Sequence, residues 1–275
     1  MNDRSDLRDT ILFGDCRETL PMFNVKARMC VTSPPYYGLR NYGGEESQIG
    51  QEQTPEEFID ELVKVFREVR NVLTDDGTCW VNVGDSYYNY RPGRGQGLVK
   101  QTVSNTKQDL PDVCPRRGNR LEGLKEKDLI GIPWMFAFAM RADGWYLRQD
   151  IIWHKPNPMP ESVRDRCTKA HEYIFLLSKN KKYFYDNEAI KEPAKDWGTR
   201  DRTKGKYHNE GTGLQPHSGL SKSYPTKNKR SVWSITNKPY RGAHFAVYPP
   251  DLIEPCIKAG SEKGDIVLDP FMGSG

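Results

Sequence analysis

Residues 28–36 read RMCVTSPPY, and this stretch decides the fold. The apolar residues at its start predict a buried strand. Two consecutive prolines end that strand, because proline has no backbone N–H to donate to a sheet. The proline pair does not by itself account for the polar Ser33 before it or the aromatic Tyr36 after it. This combination favours a ligand site where the strand ends.

Outward from this strand, apolar segments of strand type alternate with amphipathic helical segments. Residues 54–57 show a helix start, with Thr54 and Glu57 as a capping box and proline at the first helical position. The alternation predicts an α/β fold, a mainly parallel sheet with helices on both faces. The predicted strands are 11–14, 29–32, 78–83, 147–153, 173–178 and 265–268, and the predicted helices cover 55–73, 128–141 and 252–259.

Three predicted strands end in polar turns, at Asp15, Ser33 and Asp269. Ligands of open α/β sheets bind beyond the carboxyl ends of the strands, so we expect these three residues within about 20 Å of one another. Residues 267–275 read VLDPFMGSG. A lone G-x-G is a weak nucleotide signal, and a plain turn is its default interpretation. The whole run is far more specific.

Bulk properties narrow the class of protein. The 275 residues carry a formal net charge of +4, which fits one large domain with an inserted smaller one. No apolar run approaches the roughly 20 residues of a membrane span. The charged N-terminus lacks a secretory signal, so we expect a cytoplasmic protein without a membrane partner. None of the six cysteines has C-x-x-C spacing, which argues against a zinc site.

Basic residues concentrate in two stretches. Residues 195–241 hold eleven Lys or Arg against three Asp or Glu, and residues 91–127 hold nine against four. Either stretch alone is most simply a solvated loop. Two basic, glycine-containing insertions in an otherwise balanced chain favour contact with nucleic-acid phosphates. The residues predicted to bind DNA are Lys204, Lys206, Lys227, Lys229 and Arg230.

The loop Ser33-Pro34-Pro35-Tyr36 suits chemistry on an amino group. The Ser33 hydroxyl and the Pro34 carbonyl can accept hydrogen bonds from one exocyclic amine of a base. These bonds free the nitrogen lone pair for in-line attack on a methyl sulfonium, and positioning supplies most of the rate. Tyr36 can stack on a base that has left the duplex. The predicted catalytic residues are therefore Ser33, Pro34, Pro35 and Tyr36.

With these motifs in this order, the sequence resembles the DNA amino-methyltransferases in their permuted, beta arrangement, over almost the whole chain. The resemblance implies a circularly permuted, Rossmann-like methyltransferase sheet with S-adenosyl-L-methionine as cofactor. It also implies double-stranded DNA as partner, in a bacterial or phage setting; a second copy of the chain is a further candidate partner. The implied cofactor-binding residues are Asp15, His244, Phe245, Ala246, Pro249, Asp269, Pro270, Phe271, Gly273 and Gly275.

The resemblance also divides the chain. Residues 1–180 correspond to the catalytic part with a basic loop at 87–127, residues 181–240 to target recognition, and residues 241–275 to the start of the cofactor-binding part. The family pattern continues beyond Gly275 with a helix and a strand. We therefore expect a truncated end, an unfilled slot between the strands ending at Asp15 and Asp269, and weak cofactor binding unless a partner or further segment completes the sheet.

Three functions stay open at this point. Resemblance implies that Ser33 favours methylation of cytosine N4, with adenine N6 as the alternative. A catalytically impaired DNA-binding fragment is the second possibility, against which the intact Ser33–Tyr36 loop argues. The third is an RNA or protein methyltransferase, which typically has Asn in place of Ser33. Asp85 is interpreted as a helix cap and Trp233 as an anchor of the recognition region.

Overall fold

The computed structural model of the chain describes residues 10–39, 48–88, 121–194, 225–238 and 248–272. Within these ranges, four α-helices and eight strands form the fold, with a 3-10 turn at Leu20–Met22. The helices are α1 (Cys16–Thr19), α2 (Pro55–Val72), α3 (Ile132–Ala142) and α4 (Pro250–Gly260). The strands are β1 (Ala27–Thr32), β2 (Leu73–Val83), β3 (Tyr146–His154), β4 (His171–Ser178), β5 (Glu192–Pro193), β6 (Thr226–Lys227), β7 (Val232–Ser234) and β8 (Val267–Leu268).

Six strands form one sheet in the order β7-β3-β4-β2-β1-β8. β1 lies parallel between β2 and β8, and β7 lies parallel to β3. β4 runs antiparallel to both of its neighbours, so five of the six strands share one direction. The predicted α/β fold with a mainly parallel sheet is confirmed. β5 and β6 form a separate antiparallel pair.

Two apolar cores cover the two faces of the sheet, because successive strand residues point to opposite sides. Cys30 on β1 belongs to the larger core with α2 and α3. Its neighbours Met29 and Val31 belong to the second core, which contains Leu252 and Cys256 of α4. The capping box of Thr54 and Glu57 at the start of α2 is present as predicted.

The strand predicted at 11–14 is wrong. These residues adopt no strand in the structure, and Ile11, Leu12 and Phe13 are all exposed. An apolar triplet is only a local signal, whereas a strand needs the backbone of a neighbour for its hydrogen bonds. Among the described residues, β8 is the outermost strand on this side of the sheet.

Two further boundaries differ from prediction. The α3 helix begins at Ile132 rather than at 128, because Gly131 precedes it with a φ of 86° and Pro133 suits a first turn. β2 begins at Leu73 rather than at 78, since Leu73 pairs with Ala27 before the register shifts.

Candidate active site

The predicted catalytic loop, Ser33–Tyr36, leaves the sheet at the carboxyl end of β1. Because β1, β2 and β8 are parallel, Ser33, Gly84 and Asp269 follow them at one edge. The antiparallel β4 begins at the same edge, with His171 and Glu172. The sheet therefore brings residues from five separate parts of the sequence together at one edge, counting Lys155 just after β3.

Tyr36 of the loop is held at both its ring and its hydroxyl. A Cβ atom on Gly84 would lie 2.9 Å from Cζ of Tyr36, so only glycine leaves room for the ring at this distance. The Tyr36 hydroxyl donates to Oε2 of Glu172 at 2.6 Å. Ser33 is half-buried and Pro34 is buried, which anchors the start of the loop. The orientation of the aromatic ring is therefore fixed before any ligand binds.

Glu172 links Tyr36 to two further side chains of this part of the site. It accepts a hydrogen bond from Nδ2 of Asn82 at 3.2 Å and forms an ion pair with Lys155. Both side chains of the ion pair are only 17% exposed. Nζ of Lys155 also lies 4.2 Å from the ring centroid of Trp153, in cation–π geometry. The negative charge that fixes Tyr36 is thus neutralised by a partly buried cation.

Asp269 organises the turn after β8. One carboxylate oxygen accepts from the Thr32 hydroxyl and from the backbone N–H of Phe271 at 2.9 Å. The other accepts from the Tyr248 hydroxyl at 3.0 Å. Burial raises the pKa of Asp269, and these three hydrogen bonds oppose the shift without cancelling it. Through Thr32, the last residue of β1, this turn is bonded directly to the strand that leads into the predicted catalytic loop.

Asp15 caps α1 by accepting from the backbone N–H of Arg17 at 2.8 Å. Its carboxylate also pairs with the Arg17 guanidinium at 2.5 Å, and Arg17 reaches Glu61 of α2 at 2.8 Å. Hydrogen bonding from Arg17 lowers the pKa of Asp15. Asp15 is therefore fixed against α2, and its predicted approach to Ser33 and Asp269 stays a prediction.

Asp85 is a cap, as interpreted from the sequence. Its Oδ1 accepts from the backbone N–H groups of Gly131 at 3.0 Å and Ile132 at 3.1 Å, at the start of α3. Lys169 donates to the Asp85 backbone carbonyl at 3.2 Å, and burial lowers the pKa of this lysine. The segment that follows Gly84 is thereby held in place from two sides.

The basic residues predicted to bind DNA are in part already paired. Glu192 accepts from Arg230 at 2.7 Å and lies 3.7 Å from Lys227. Lys229 lies 5.0 Å from the ring centroid of Trp233, which is buried in β7 and donates to the Arg230 carbonyl. These contacts anchor the segment to the sheet.

The structure places the remaining predicted residues only in part. Pro249 is buried and caps α4, and Pro270 and Phe271 follow Asp269 in the turn, with Phe271 packed against the larger core. The remaining predicted residues, which lie outside the described ranges, are Lys204, Lys206, His244, Phe245, Ala246, Gly273 and Gly275.

Sequence reasoning missed the partnership of Asn82, Gly84 and Glu172 with Tyr36. One signal was present: Asn82 is an amide in the otherwise apolar run from Cys79 to Val83, and its side chain is 5% exposed. A buried amide needs hydrogen-bond partners, so its position predicts a polar neighbour. The identity of that neighbour depends on the register of β2 with β4, which the sequence does not show.

The match to a family model decides how this site is classified. The model described as DNA methylase matches residues 27–275. The chain belongs to the DNA methylase family. Type II methyltransferase M.SmaI of Serratia marcescens is 47% identical over 273 residues, covering 98% of this chain and 82% of the relative. Type II methyltransferase M.XycI of Xanthomonas campestris pv. cyanopsidis is 46% identical over 271 residues, covering 98% and 78%.

Solved structures show the same fold for this DNA methylase. The PvuII DNA methyltransferase (cytosine-N4-specific) aligns with a TM-score of 0.57 at 17% identity, covering 94% of this chain and 73% of that one. A putative DNA modification methylase from Thermus thermophilus, complexed with S-adenosyl-L-methionine, aligns with a TM-score of 0.50 at 22% identity, covering 93% and 76%. These likenesses establish the architecture.

The described part of the chain contains neither a membrane-spanning helix nor a metal cluster. No helix in these ranges is long and apolar enough to cross a membrane. No group of three or more His, Cys, Asp or Glu side chains within the same ranges is arranged to hold a metal ion.

Proposed function

We propose that this DNA methylase transfers a methyl group from S-adenosyl-L-methionine to the exocyclic amine of a flipped base, with cytosine N4 as the acceptor. The observation that carries the proposal is the bond between the catalytic strand and the Asp269 turn through Thr32. It joins the proposed amine-binding loop to the proposed cofactor turn, as a direct transfer between two bound reactants requires.

The Asp269 turn fits the proposed cofactor in its charge. The three described partners of its carboxylate are neutral donors, two hydroxyls and one backbone N–H. A buried carboxylate with a raised pKa is stabilised by a nearby cation. S-adenosylmethionine supplies an electrophilic methyl group on a sulfonium and carries a positively charged ammonium group as well. Asp269, Pro270, Phe271 and Pro249 would hold it, with Asp15 towards the adenine.

The catalytic loop supplies orientation rather than proton transfer. Ser33 Oγ and the Pro34 carbonyl accept from the two amine hydrogens and turn the nitrogen lone pair towards the methyl group. The stiff proline pair keeps both acceptors at fixed positions, which limits the reorganisation needed during the reaction. Tyr36, held by Gly84 and Glu172, presents its ring to the face of the base. The surplus proton leaves the nitrogen after methylation, so no residue is assigned as general base.

The choice of cytosine rests on Ser33, the first residue of the motif. Nucleosides from phage λ DNA treated with the protein and S-adenosylmethionine should contain N4-methylcytosine by mass spectrometry. N6-methyladenine in its place would move the acceptor to adenine and leave the amine chemistry intact. Absence of both would refute the proposal. Ser33→Ala should lower turnover much more than it lowers cofactor binding.

The arrangement of the chain is proposed on the same basis. The catalytic motif precedes the cofactor motif, which we propose reflects a circularly permuted order. Residues 1–180 and 241–275 build the methyltransferase part, and residues 181–240 recognise the target sequence on double-stranded DNA. The relatives named type II methyltransferases support DNA modification in a restriction–modification setting as the proposed biological role. A homodimer stays a prediction that analytical ultracentrifugation can test.

A further inference from the structure

The β3–β4 connection, residues 155–170, projects an apolar side chain into solvent at the edge of the sheet that carries the catalytic loop. Met159 in this connection is 73% exposed. Exposed apolar side chains are common when scattered singly, so exposure alone means little. Its setting distinguishes this residue, because Pro158 and Pro160 flank it and Pro156 precedes them. Three prolines within five residues restrict the backbone strongly.

The connection is anchored at its base and on both sides of Met159. The backbone N–H of Lys155 donates to the Ala170 carbonyl at 2.8 Å and closes the base of the connection. Asn157 exchanges two hydrogen bonds with the backbone of Asn237, at 3.2 and 3.0 Å. Glu161 accepts from Arg166 at 2.6 Å. Residues 158–160 are therefore a stiff prong rather than a loose loop.

The far end of the connection is tied to the catalytic edge. The Arg166 guanidinium lies 3.8 Å from the ring centroid of Tyr87, and Lys169 donates to the Asp85 carbonyl. The two strand ends from which the prong emerges carry Lys155 and Glu172, the ion pair that fixes Tyr36. Met159 follows Lys155 by four positions, which limits their Cα separation to about 14 Å.

We propose that Met159 is a wedge that enters the DNA base stack beside the base captured by Tyr36. This inference rests on the proposed function, because it requires a flipped base. A flipped base leaves a gap, and proteins that unstack DNA insert apolar side chains such as Met between base steps. A thioether side chain adapts to an irregular gap. The prong and Tyr36 would act together, one filling the stack and the other holding the base.

The test compares Met159→Ala with Met159→Leu, which keeps apolar volume, and with Met22→Ala. Met22 is a matched control because it is also exposed, at 58%, but lies in the 3-10 turn Leu20–Met22. Target sites are first mapped on phage λ DNA methylated by the wild-type protein. A duplex with a fluorescent analogue of the mapped target base, pyrrolocytosine for cytosine or 2-aminopurine for adenine, then reports flipping by its fluorescence.

Met159→Ala should lower the fluorescence increase and reduce kcat/KM about tenfold, which corresponds to about 1.4 kcal/mol. Met159→Leu should stay within about twofold of wild type, and Met22→Ala should match it. The dependence of DNA binding on salt should be the same in all three variants, because a wedge neutralises no phosphate. Circular dichroism melting should show that all of them fold.

Three results would overturn the wedge: wild-type flipping by Met159→Ala, an equal loss in Met159→Leu, or a flatter salt dependence in Met159→Ala. Failure of the proposed function gives a different result. Wild-type protein would then transfer no methyl group to DNA, and the wedge would fall with it. Methylation by wild type together with unchanged flipping by Met159→Ala would refute the wedge alone.

Discussion

Glu172 and Asp269 are both acidic side chains at the edge of the sheet where the parallel strands end. They differ in the partners that surround their carboxylates. Glu172 has a partly buried cation, Lys155, as its partner, together with Asn82 and Tyr36. Asp269 has neutral donors only among its described contacts, and its pKa is raised. The charge of the Glu172 carboxylate is therefore neutralised without a ligand. Asp269 carries a desolvated charge that a positively charged ligand would stabilise.

The largest effect on stability is expected when the ion pair between Lys155 and Glu172 is broken. Lys155→Met removes the cation and leaves the partly buried carboxylate of Glu172 without it. Loss of one partner of a buried ion pair costs about 3–5 kcal/mol, and the 17% exposure of both side chains favours the lower end. Urea unfolding should therefore show a loss of about 3 kcal/mol. Lys155→Met combined with Glu172→Gln should recover part of it, because no unpaired charge remains.

Glu254→Gln is a control for this experiment. It breaks the ion pair with Lys258 on α4, in which both side chains are more than half exposed. It should change stability by less than about 1 kcal/mol, since exposed ion pairs contribute little, and leave methylation unchanged. A stability loss in Lys155→Met no greater than in Glu254→Gln would show that Glu172 does not need its cation.

The next effect concerns the ring that Glu172 fixes. Tyr36→Ala should weaken capture of the base by about 1–3 kcal/mol, because stacking is lost. Transfer from tritiated cofactor to phage λ DNA measures this as a fall in kcat/KM. Tyr36→Phe keeps the ring and loses the 2.6 Å bond to Glu172, so its activity should lie between wild type and Tyr36→Ala.

Tyr37→Phe is the matched control, since it removes the neighbouring hydroxyl, which donates to the Gln53 carbonyl at 3.1 Å. Its activity should stay near that of wild type even where its melting temperature falls. Wild-type kcat/KM in both Tyr36 variants would remove Tyr36 from the site.

These two regions also show what the sequence could reveal. The motifs of Ser33–Tyr36 and of residues 267–275 identify the family without any structure, and the alternation of elements predicts the sheet. Glu172 could not be assigned, since its contact with Tyr36 spans 136 positions and depends on the direction of β4. The strand predicted at 11–14 failed for a related reason, because a local apolar pattern contains no information about the neighbour that a strand needs.

A substitution at Asp269 tests the other side of this comparison. We expect it to raise stability, by less than Lys155→Met lowers it. Asp269→Asn removes a desolvated charge and keeps acceptors for Thr32 and Phe271. Without ligand, the variant should be at least as stable as wild type at pH 7. A raised folded-state pKa contributes stability at low pH that is lost as pH rises through that pKa. The advantage of the variant in urea unfolding should therefore shrink as the pH is lowered.

The affinity of Asp269→Asn for S-adenosylmethionine should fall, in contrast to its stability. Calorimetric titration with S-adenosylmethionine should show weaker binding by Asp269→Asn, by about tenfold, because a hydrogen bond or ion contact to a charged group contributes about 1.5 kcal/mol or more. Equal affinity in the variant and in wild type would mean that the charge of Asp269 does not serve the cofactor. A less stable variant at pH 7 would mean that the charge is already compensated.

The smallest effect is expected at a third acid, Glu192, which has cationic partners like Glu172 but lies near the surface. Hydrogen bonding from Arg230 lowers its pKa, and Arg230 itself is 73% exposed. Glu192→Gln should therefore change stability little, since exposed ion pairs contribute about 0–1 kcal/mol.

The same variant should instead free Lys227 and Arg230 to contact phosphates. The slope of the logarithm of the DNA-binding constant against the logarithm of the salt concentration should then steepen by up to about one unit for each freed cation. Replacing both basic residues by Gln should flatten the same dependence. Filter binding across a salt series distinguishes these outcomes, with Lys258→Gln, in an exposed pair with Glu254 on α4, as the control that should not alter the slope. An unchanged slope in both variants would make this segment an ordinary solvated surface and restrict DNA contact to the other basic stretches.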